Sequence, residues 1–350
     1  MKRIVTFTVA SVASLFATID GADRSPAAAQ TVNGPMVTWR IAAYGSPRAT
    51  TRGVHALGDI VDKATQGKFK LNVVYNNLAP EKETIDGIKI GAFEAGLVTV
   101  SVTPGKLPVI NVLNLPFLPL GNLDQQTALA QAFFETPWAK SDLQRWDAIA
   151  LMPVPLTPYE LTGKGKPPLQ IPDLKGMRIR AAGSLGDAVK LIGASANSVA
   201  APEIFSSMQT GVIDAAAMSL FAHKTFRTIE IADWYTANLA LGIVAVLFPV
   251  GEKAMTALPA QYRKLVLDSA APALDEHKKA VQPENDEAER LYAQRNVRRI
   301  VYTPEQRQPF VDMAGEPLWN AWVKDMTSKG IEGQQILDFV RAKAKELGVK

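Results

Sequence analysis

The sequence predicts an α/β fold built as two similar lobes, and three observations support this prediction. The chain opens with a strand, a helix and a second strand between residues 39 and 73, the pattern of a sheet covered by helices. A helix start, a helix end and a strand recur in the same order about 120 residues later. The length of 350 residues is large enough for two lobes.

The composition is that of a folded protein and excludes several classes of function. Apolar residues make up 47% of the chain and charged residues 21%. The formal net charge of +4 is small and spread along the chain, so we expect no nucleic-acid partner. Because the sequence has no cysteine, it can form no disulfide, thiolate zinc site, iron–sulfur cluster or cysteine nucleophile.

The first thirty residues have the pattern of an export signal. Lys2 and Arg3 form a basic start, residues 4–18 are uncharged and mostly apolar, and the alanines at 27–29 provide small residues for cleavage. The alternative, a membrane anchor, is disfavoured because the apolar run has about fifteen residues where a span needs roughly twenty. We therefore predict that residues 1–29 are a signal peptide and that the protein is periplasmic.

The elements of the first lobe follow from hydrophobic periodicity. Residues 39–43 are predicted as a strand, and apolar residues between Val54 and Val61 recur at helical spacing. Alternating apolar residues in 69–73 predict the second strand. Ala79-Pro80-Glu81 starts a second helix, which leads into the apolar strand 96–100.

The same order returns in the second half of the chain. Ala201-Pro202-Glu203 starts a helix, Gly211 ends it, and Asp214 leads into an apolar stretch that ends near Leu220. This recurrence favours a duplicated lobe, although helix starts and ends reuse the same residue types by chance.

The last third of the chain is predicted to be helical. Residues 258–296 form a long pattern that Pro272 and Pro283 should kink or break, because proline lacks the backbone N–H of a helix interior. Residues 304–347 predict further amphipathic helices that carry Trp319 and other apolar residues.

The assignment of lobes depends on where the chain crosses between them. Six prolines within residues 152–172 mark the first crossing. We assign residues 30–156 and 246–285 to the first lobe, and residues 157–245 and 286–350 to the second.

The segment around Arg180 carries the most chemistry. Apolar and arginine positions alternate in residues 177–180, so a strand here turns Arg178 and Arg180 to one face. Ser184 and Asp187 resemble a capping box, which predicts a helix start just past the strand. Arg180 thus sits at the carboxyl end of a strand beside a helix N-terminus, where open α/β sheets bind ligands.

A guanidinium at such a position is suited to a carboxylate, because its planar fork binds both oxygens. The alternative is that Arg178 and Arg180 are solvated or pair with Asp173 or Asp187. The residue chemistry alone leaves both interpretations open.

Four segments, in order, resemble the solute-binding proteins of TRAP transporters, the DctP-like family. Residues 173–180 (DLKGMRIR) match its Asp-Leu-Lys-Gly-x-Lys/Arg-Ile-Arg signature, and residues 209–214 (QTGVID) match its Gln-Thr-Gly-Val-x-Asp segment. Residues 115–118 (LPFL) and the helical, tryptophan-containing last third also match, so the resemblance covers about residues 37–345.

The resemblance implies a two-lobed periplasmic binding protein, type II-like, with a ligand cleft between the lobes, a long helix and C-terminal helices. Such a protein captures a small organic acid, closes over it and delivers it to the membrane subunits of a TRAP transporter. The signature arginine, which matches Arg180, forms a salt bridge with the ligand carboxylate.

Two departures from the family pattern concern the ligand. Many members carry a second arginine where this chain has Glu160, and Ala215–Met218 replaces a more polar segment. With one strong arginine, a second carboxylate would stay uncompensated, so we predict a monocarboxylate with an apolar or aromatic body. Lys82 or Lys164 could supply a further positive charge. The expected lining residues are Ala181, Ala182, Ala216, Met218, Phe117 and Phe221.

Further ligand-binding candidates follow from the topology. Glu81 and Lys82, at the start of the second helix, would face the cleft, with a capped and solvated first turn as the alternative. Tyr44 follows the first strand and Ser101 follows the strand at 96–100, so both lie at the rim of the cleft. Tyr159 flanks Glu160 next to the crossing.

No enzyme site is predicted. The three histidines, His55, His223 and His277, lack metal-ligand spacing, and His223 alone follows a strand directed at the cleft. No paired base and nucleophile with an orienting group is recognisable, so we expect no catalytic residue, cofactor or metal. A periplasmic ligand sensor, or an enzyme acting on a carboxylate, remains the alternative function.

Overall fold

The computed structural model describes residues 31–349, and the predicted signal peptide at residues 1–29 lies outside them. The strands are β1 (Val37–Ala43), β2 (Phe69–Tyr75), β3 (Ala95–Gly96), β4 (Val98–Thr99), β5 (Ala148–Val154), β6 (Glu160–Gly163), β7 (Arg178–Arg180), β8 (Ser195–Asn197), β9 (Ala215–Met218), β10 (Trp234–Thr236), β11 (Val246–Gly251) and β12 (Arg298–Ile300).

The helices are α1 (Ala49–Ala64), α2 (Thr84–Lys89), α3 (Leu123–Phe134), α4 (Pro137–Gln144), α5 (Ser184–Leu191), α6 (Ile204–Gln209), α7 (Leu220–Thr225), α8 (Glu252–Ala257), α9 (Ala260–Gln294), α10 (Pro304–Ala314), α11 (Glu316–Ser328) and α12 (Gly333–Glu346). Between residues 31 and 349, no helix combines the length and apolar composition that crossing a membrane requires.

The first sheet has the strand order β2-β1-β3-β11-β4, with β5 paired to β11. Its predicted opening is confirmed, because β1 and β2 are parallel along all their residues and α1 connects them. Val54, Leu57 and Val61 form the buried face of α1. The strand β11 runs antiparallel to β3, β4 and β5 and brings the chain back from the second lobe.

The second sheet has the strand order β12-β10-β6-β9-β7-β8. The strand β7 is parallel to both β8 and β9, whereas β6 is antiparallel to β9 and β10. Both lobes contain a 3₁₀ turn that leads into a short helix, at 81–83 before α2 and at 201–203 before α6. The two Ala-Pro-Glu copies are shifted by two residues against these turns, since 79–81 ends where the first turn begins and 201–203 forms the second turn. The α/β fold with two lobes is therefore confirmed.

The chain crosses from the first sheet to the second between Val154 and Glu160, and returns between Thr236 and Val246. The first crossing lies inside the predicted proline-rich stretch. The expected lobe assignment of residues 286–350 holds for β12, which joins the second sheet, but not for α11 and α12. The buried side chains of α11 and α12, among them Trp322 and Val340, join the core of the first lobe. An apolar helix stripe can be buried against either lobe, and the sequence pattern does not distinguish the two.

The helix α9 is continuous over 35 residues, so of the kink or break expected at its two prolines the break is absent. Both Pro272 and Pro283 lie on its exposed face, while its buried face packs along α1 and α7. Gly53 permits the contact with α1, because a Cβ there would lie 3.1 Å from the Cβ of His277. The helix therefore connects the two lobes along one side of the molecule.

Candidate functional site

A small cavity lies where the two lobes face each other, at the ends of β1, β4, β7 and β9. The residues that line it are Tyr44, Arg48, Thr50, Glu81, Thr99, Ser101, Leu156, Tyr159, Arg180, Ala201, Met218, Ser219, Phe221, Ala222, Phe226 and Val246. Seven of the eight predicted site residues belong to this lining, and Lys82 alone does not. Their contact with a ligand stays a prediction, but the fold brings them together.

Arg180 ends β7 and is only 5% exposed. Its Nε donates to the carbonyl of Val199 at 3.0 Å, and its Nη1 donates to the carbonyl of Ala217 at 3.3 Å. Residues 31–349 offer this guanidinium no carboxylate partner at salt-bridge distance. A buried cation held only by carbonyl oxygens is incompletely compensated, which makes it a receptor for an anion.

Arg178 and Arg180 are two residues apart on β7, as expected, but they lie in different environments. Arg178 is exposed, and its Nε donates to Asp214 Oδ2 at 3.0 Å. The difference arises because β7 has only three residues, and the first lobe covers its end but not its beginning. Of the two alternatives, pairing with an acid therefore applies to Arg178 only, and the partner is not Asp173 or Asp187.

The helix after β7 begins where predicted, but the predicted capping box is wrong. Gly183, with φ of +57°, is the N-cap of α5, and Ser184 is its first residue. Asp187 pairs with Lys190 instead. Gly183 also passes close to the first lobe, since a Cβ there would lie 3.0 Å from the carbonyl oxygen of Ser101. Glycine is therefore required at position 183 for two reasons, the positive φ of the bend and the close approach to the Ser101 carbonyl.

Two side chains of the 3₁₀ turn that precedes α2 reach across to the second lobe. Glu81 is 8% exposed, and its Oε2 accepts a hydrogen bond of 3.1 Å from the backbone N–H of Ala201. Lys82 is exposed, and its Nζ donates to the carbonyl of Ser198 at 3.1 Å. Glu81 is therefore not on a solvated first turn, and the lobes are closed onto each other in this structure.

Arg48 is a second buried arginine in the cleft, and the sequence analysis missed it. It is 6% exposed, and its Nη1 donates to the carbonyls of Tyr44 at 2.6 Å and Ser46 at 3.0 Å. Its Cζ lies 4.6 Å from the ring centre of Tyr44 and 5.5 Å from that of Phe226. Arg48 belongs to no motif. Its place in the loop after the first strand was the feature of the sequence that could have indicated a position at the cleft.

The tyrosines of the cleft provide neutral hydroxyl groups. The hydroxyl of Tyr44 lies 2.6 Å from Oγ1 of Thr99, and burial raises the pKa of Tyr44. Burial also raises the pKa of Tyr159, whose hydroxyl has no hydrogen-bond partner within the described chain. The Tyr159 hydroxyl is thus an uncharged donor left free for a ligand oxygen.

Glu160 does not face the cleft, so the expected acid in the ligand site is absent. Its carboxylate is buried and accepts hydrogen bonds from Oγ1 of Thr236 at 2.6 Å and from the N–H groups of Leu239 at 3.0 Å and Ala240 at 2.9 Å. These bonds fix the returning crossing between the lobes. Burial raises the pKa of Glu160.

Several expected lining residues also lie elsewhere. The ring of Phe117 packs edge-on against Phe310, and Nζ of Lys164 donates to the carbonyl of Met208. Ala181, Ala182 and Ala216 are buried but do not line the cavity. Alternation along a strand predicts which residues are buried, but not against which lobe they pack.

The histidines have structural environments. His223 is fully buried, with its ring nitrogens 2.8 Å from Oγ1 of Thr228 and 3.3 Å from the carbonyl of Glu160, and burial lowers its pKa to about 3. The strand β9 before it ends at the cavity, as expected, but His223 itself lies outside the cavity lining. Within residues 31–349, no group of three or more acidic or histidine side chains is arranged to hold a metal ion.

Two α/β lobes that face each other across a cavity lined by two buried arginines are an architecture typical of solute-binding proteins. Residues 44–325 match the family described as bacterial extracellular solute-binding protein, family 7, or DctP. The chain belongs to this family. The predicted resemblance to the solute-binding proteins of TRAP transporters is thereby confirmed.

Solved structures and curated relatives agree with this assignment. A TRAP solute-binding protein from Rhodoferax ferrireducens, in complex with copurified benzoate, superposes with a TM-score of 0.83 at 19% identity and covers 89% of this chain and 99% of its own. DctP7 of Bordetella pertussis, which binds pyroglutamic acid, has a TM-score of 0.76 at 24% identity and covers 87% of this chain and 99% of its own.

Among curated sequences, a monocarboxylate 2-oxoacid-binding periplasmic protein of Nostoc sp. is 22% identical over 276 residues. The match covers 76% of this chain and 74% of the relative. At such identities the solved structures establish the shared fold, and the family match establishes the kind of protein.

Proposed function

We propose that this protein captures a small organic acid in the cleft outside the cytoplasm and delivers it to the membrane subunits of a TRAP-type transporter. The observation that carries the proposal is Arg180, a guanidinium 5% exposed at a strand end and without an acidic partner in residues 31–349. A carboxylate bound there would complete its hydrogen bonding and compensate its charge.

The charge balance of the cleft supports a monocarboxylate. Its lining holds two arginines, Arg48 and Arg180, and one carboxylate, Glu81, so the formal charge is +1. One bound carboxylate makes the closed cleft neutral, whereas a second would be desolvated without a partner. Glu160 takes no part in this charge balance, because its carboxylate is bonded to Thr236, Leu239 and Ala240. The ligands named for the three relatives described above, which are benzoate, pyroglutamic acid and a monocarboxylate 2-oxoacid, each carry one carboxyl group.

The apolar part of the lining supports an apolar or aromatic ligand body. Leu156, Met218, Phe221 and Val246 contribute aliphatic and aromatic surface next to the two arginines. Such surface stabilises a branched or aryl group by roughly 25 cal/mol per Å² removed from water. A sugar acid would instead need many polar partners at the same place.

Thermal unfolding with a panel of acids tests this proposal. We expect benzoate, mandelate or a branched 2-oxoacid to raise the melting temperature, because a ligand at a hundred times its Kd adds about 2.7 kcal/mol of stability. Succinate and galacturonate, tested at the same concentration, should give smaller shifts. Larger shifts with succinate would contradict the monocarboxylate proposal, and the absence of any shift with every acid would contradict the function.

Export through residues 1–29 is part of the same proposal, supported by the extracytoplasmic character of the family. N-terminal sequencing of the mature protein tests it, and we expect the first residue to be Gln30. A mature chain that retains residues 1–29 would contradict it.

A further inference from the structure

Arg48 and Phe226 form a contact between the two lobes. Arg48 stands at the start of α1 in the first lobe, and Phe226 follows α7 in the second. The guanidinium carbon of Arg48 lies over both the Tyr44 ring and the Phe226 ring, at 4.6 Å and 5.5 Å from their centres. Opening of the lobes would separate Arg48 from the Phe226 ring but not from Tyr44, which belongs to its own loop.

The same guanidinium has hydrogen-bonding capacity left over. Its Nη1 donates to the carbonyls of Tyr44 and Ser46, and the guanidinium also interacts with the Tyr44 hydroxyl, but no other side chain of residues 31–349 is bonded to it. Arg48 is only 6% exposed, yet residues 31–349 place no carboxylate at salt-bridge distance from its guanidinium. Its Nε and Nη2 are therefore available to an anion that enters the cavity Arg48 lines.

The packing of Phe226 is close and specific. A Cβ on Gly45, in the same loop as Tyr44, would lie 3.0 Å from Cε1 of the Phe226 ring. Gly45 has φ of +74°, so the loop bends sharply at the point where the second lobe touches it. The ring thus covers both the loop and the cation.

We propose that Arg48 is a second ligand-binding cation of the cleft and that stacking of Phe226 on it couples ligand capture to closing of the second lobe. This inference rests on the proposed function, since it assigns a further residue to the same acid-binding site. The bound anion and the Phe226 ring approach Arg48 together when the cleft closes. Ligand release then requires the stack to break.

The chain contains a matched control for Phe226. Arg227 stacks over Phe205 at 5.0 Å, and both residues belong to the second lobe. Phe205 and Phe226 are both half-buried. Phe205→Leu therefore removes an arginine–phenylalanine stack within one lobe, whereas Phe226→Leu removes the stack between lobes.

The experiment measures association and dissociation rates for whichever of benzoate, mandelate and 2-oxoisovalerate stabilises the wild type most. We expect Phe226→Leu to raise the dissociation rate about ten-fold, with the association rate changed less than about two-fold. Phe205→Leu should match the wild type in both rates. Arg48→Lys, which keeps the charge but not the planar fork, should weaken affinity at least about five-fold.

The outcomes separate this inference from the function it rests on. If none of the three acids binds the wild type, both the proposed function and this inference are wrong. If an acid binds, but Phe226→Leu dissociates no faster than Phe205→Leu, the coupling is wrong while the function stands. If Arg48→Lys binds as well as the wild type, Arg48 is not a ligand partner. Should Arg48→Lys fail to fold, the rates of Phe226→Leu decide.

Discussion

The carboxylate of Glu81 accepts a hydrogen bond from the backbone N–H of Ala201, 120 residues away in the sequence. Each residue belongs to one copy of the Ala-Pro-Glu motif, so the two copies meet across the cleft. Because Glu81 lies in the first lobe and Ala201 in the second, this bond exists only when the lobes are closed. It also brings the one carboxylate of the cavity lining next to two arginines.

Glu81→Gln should change the preference for ligand charge. A glutamine oxygen can still accept the Ala201 N–H, but the formal charge of the cleft rises from +1 to +2. We expect the ratio of monocarboxylate to dicarboxylate affinity to fall about ten-fold, measured by competition between butyrate and succinate. Glu83→Gln, two residues along and exposed, is the control and should leave the ratio unchanged. An unchanged ratio in Glu81→Gln would contradict the charge argument.

Gly183→Ala should weaken binding by hindering closure. The new Cβ would lie 3.0 Å from the carbonyl oxygen of Ser101 in the other lobe, at a φ of +57°. Gly176→Ala also places an alanine at a positive φ, +81°, but its Cβ would lie in open space. We expect both variants to lose stability by about 1 kcal/mol, and only Gly183→Ala to lose affinity. Equal affinities, measured by calorimetry, would show that this contact does not restrict closure.

Closure itself should be visible in solution. The bonds from Glu81 and Lys82 to the second lobe join segments that an open cleft would separate. Small-angle scattering should therefore give a smaller radius of gyration with a bound acid than without it. An unchanged radius, in a sample where binding is confirmed, would count against a cleft that closes on its ligand.

His223 should make the fold sensitive to acid. Burial lowers its pKa to about 3, whereas an unfolded histidine titrates near pH 6.5. The unfolded state thus binds the proton more tightly, and stability present above pH 6.5 is lost as the pH falls toward 3. Between pH 7 and pH 5 we expect His223 to account for a loss of about 2 kcal/mol in the free energy of unfolding.

Urea titrations of the wild type and His223→Gln at both pH values test this expectation. The variant should be less stable at pH 7 but lose less stability on acidification. Equal losses in the two proteins would show that another group is responsible.

The elements of the fold were predictable where the sequence pattern is local. The alternation of residues 177–180 correctly predicted that Arg180 ends a strand. The opening strand, helix and strand were also predicted correctly. The break predicted for α9 failed because Pro272 and Pro283 lie on its exposed face, and the buried face that includes Val266 and Val281 holds the helix together.

The site was less predictable because its chemistry depends on contacts between lobes. Glu160 occupies a strand position that could face either the cleft or the crossing, and only the fold shows that it binds Leu239 and Ala240. Arg48 lies in a loop, where no periodicity indicates burial. Its environment comes from Phe226, which is distant in sequence.

Calorimetric titration of Arg180→Ala tests the central claim, that the cleft binds a carboxylate through Arg180, most directly. The probe is whichever of benzoate, mandelate and 2-oxoisovalerate binds the wild type most tightly, and Arg178→Ala, which removes the exposed arginine paired with Asp214, is the control. We predict a loss of about 2–5 kcal/mol in binding free energy for Arg180→Ala and almost none for Arg178→Ala. If Arg180→Ala and Arg180→Lys both bind within about three-fold of the wild type, Arg180 is not the carboxylate partner and the account of the cleft is wrong.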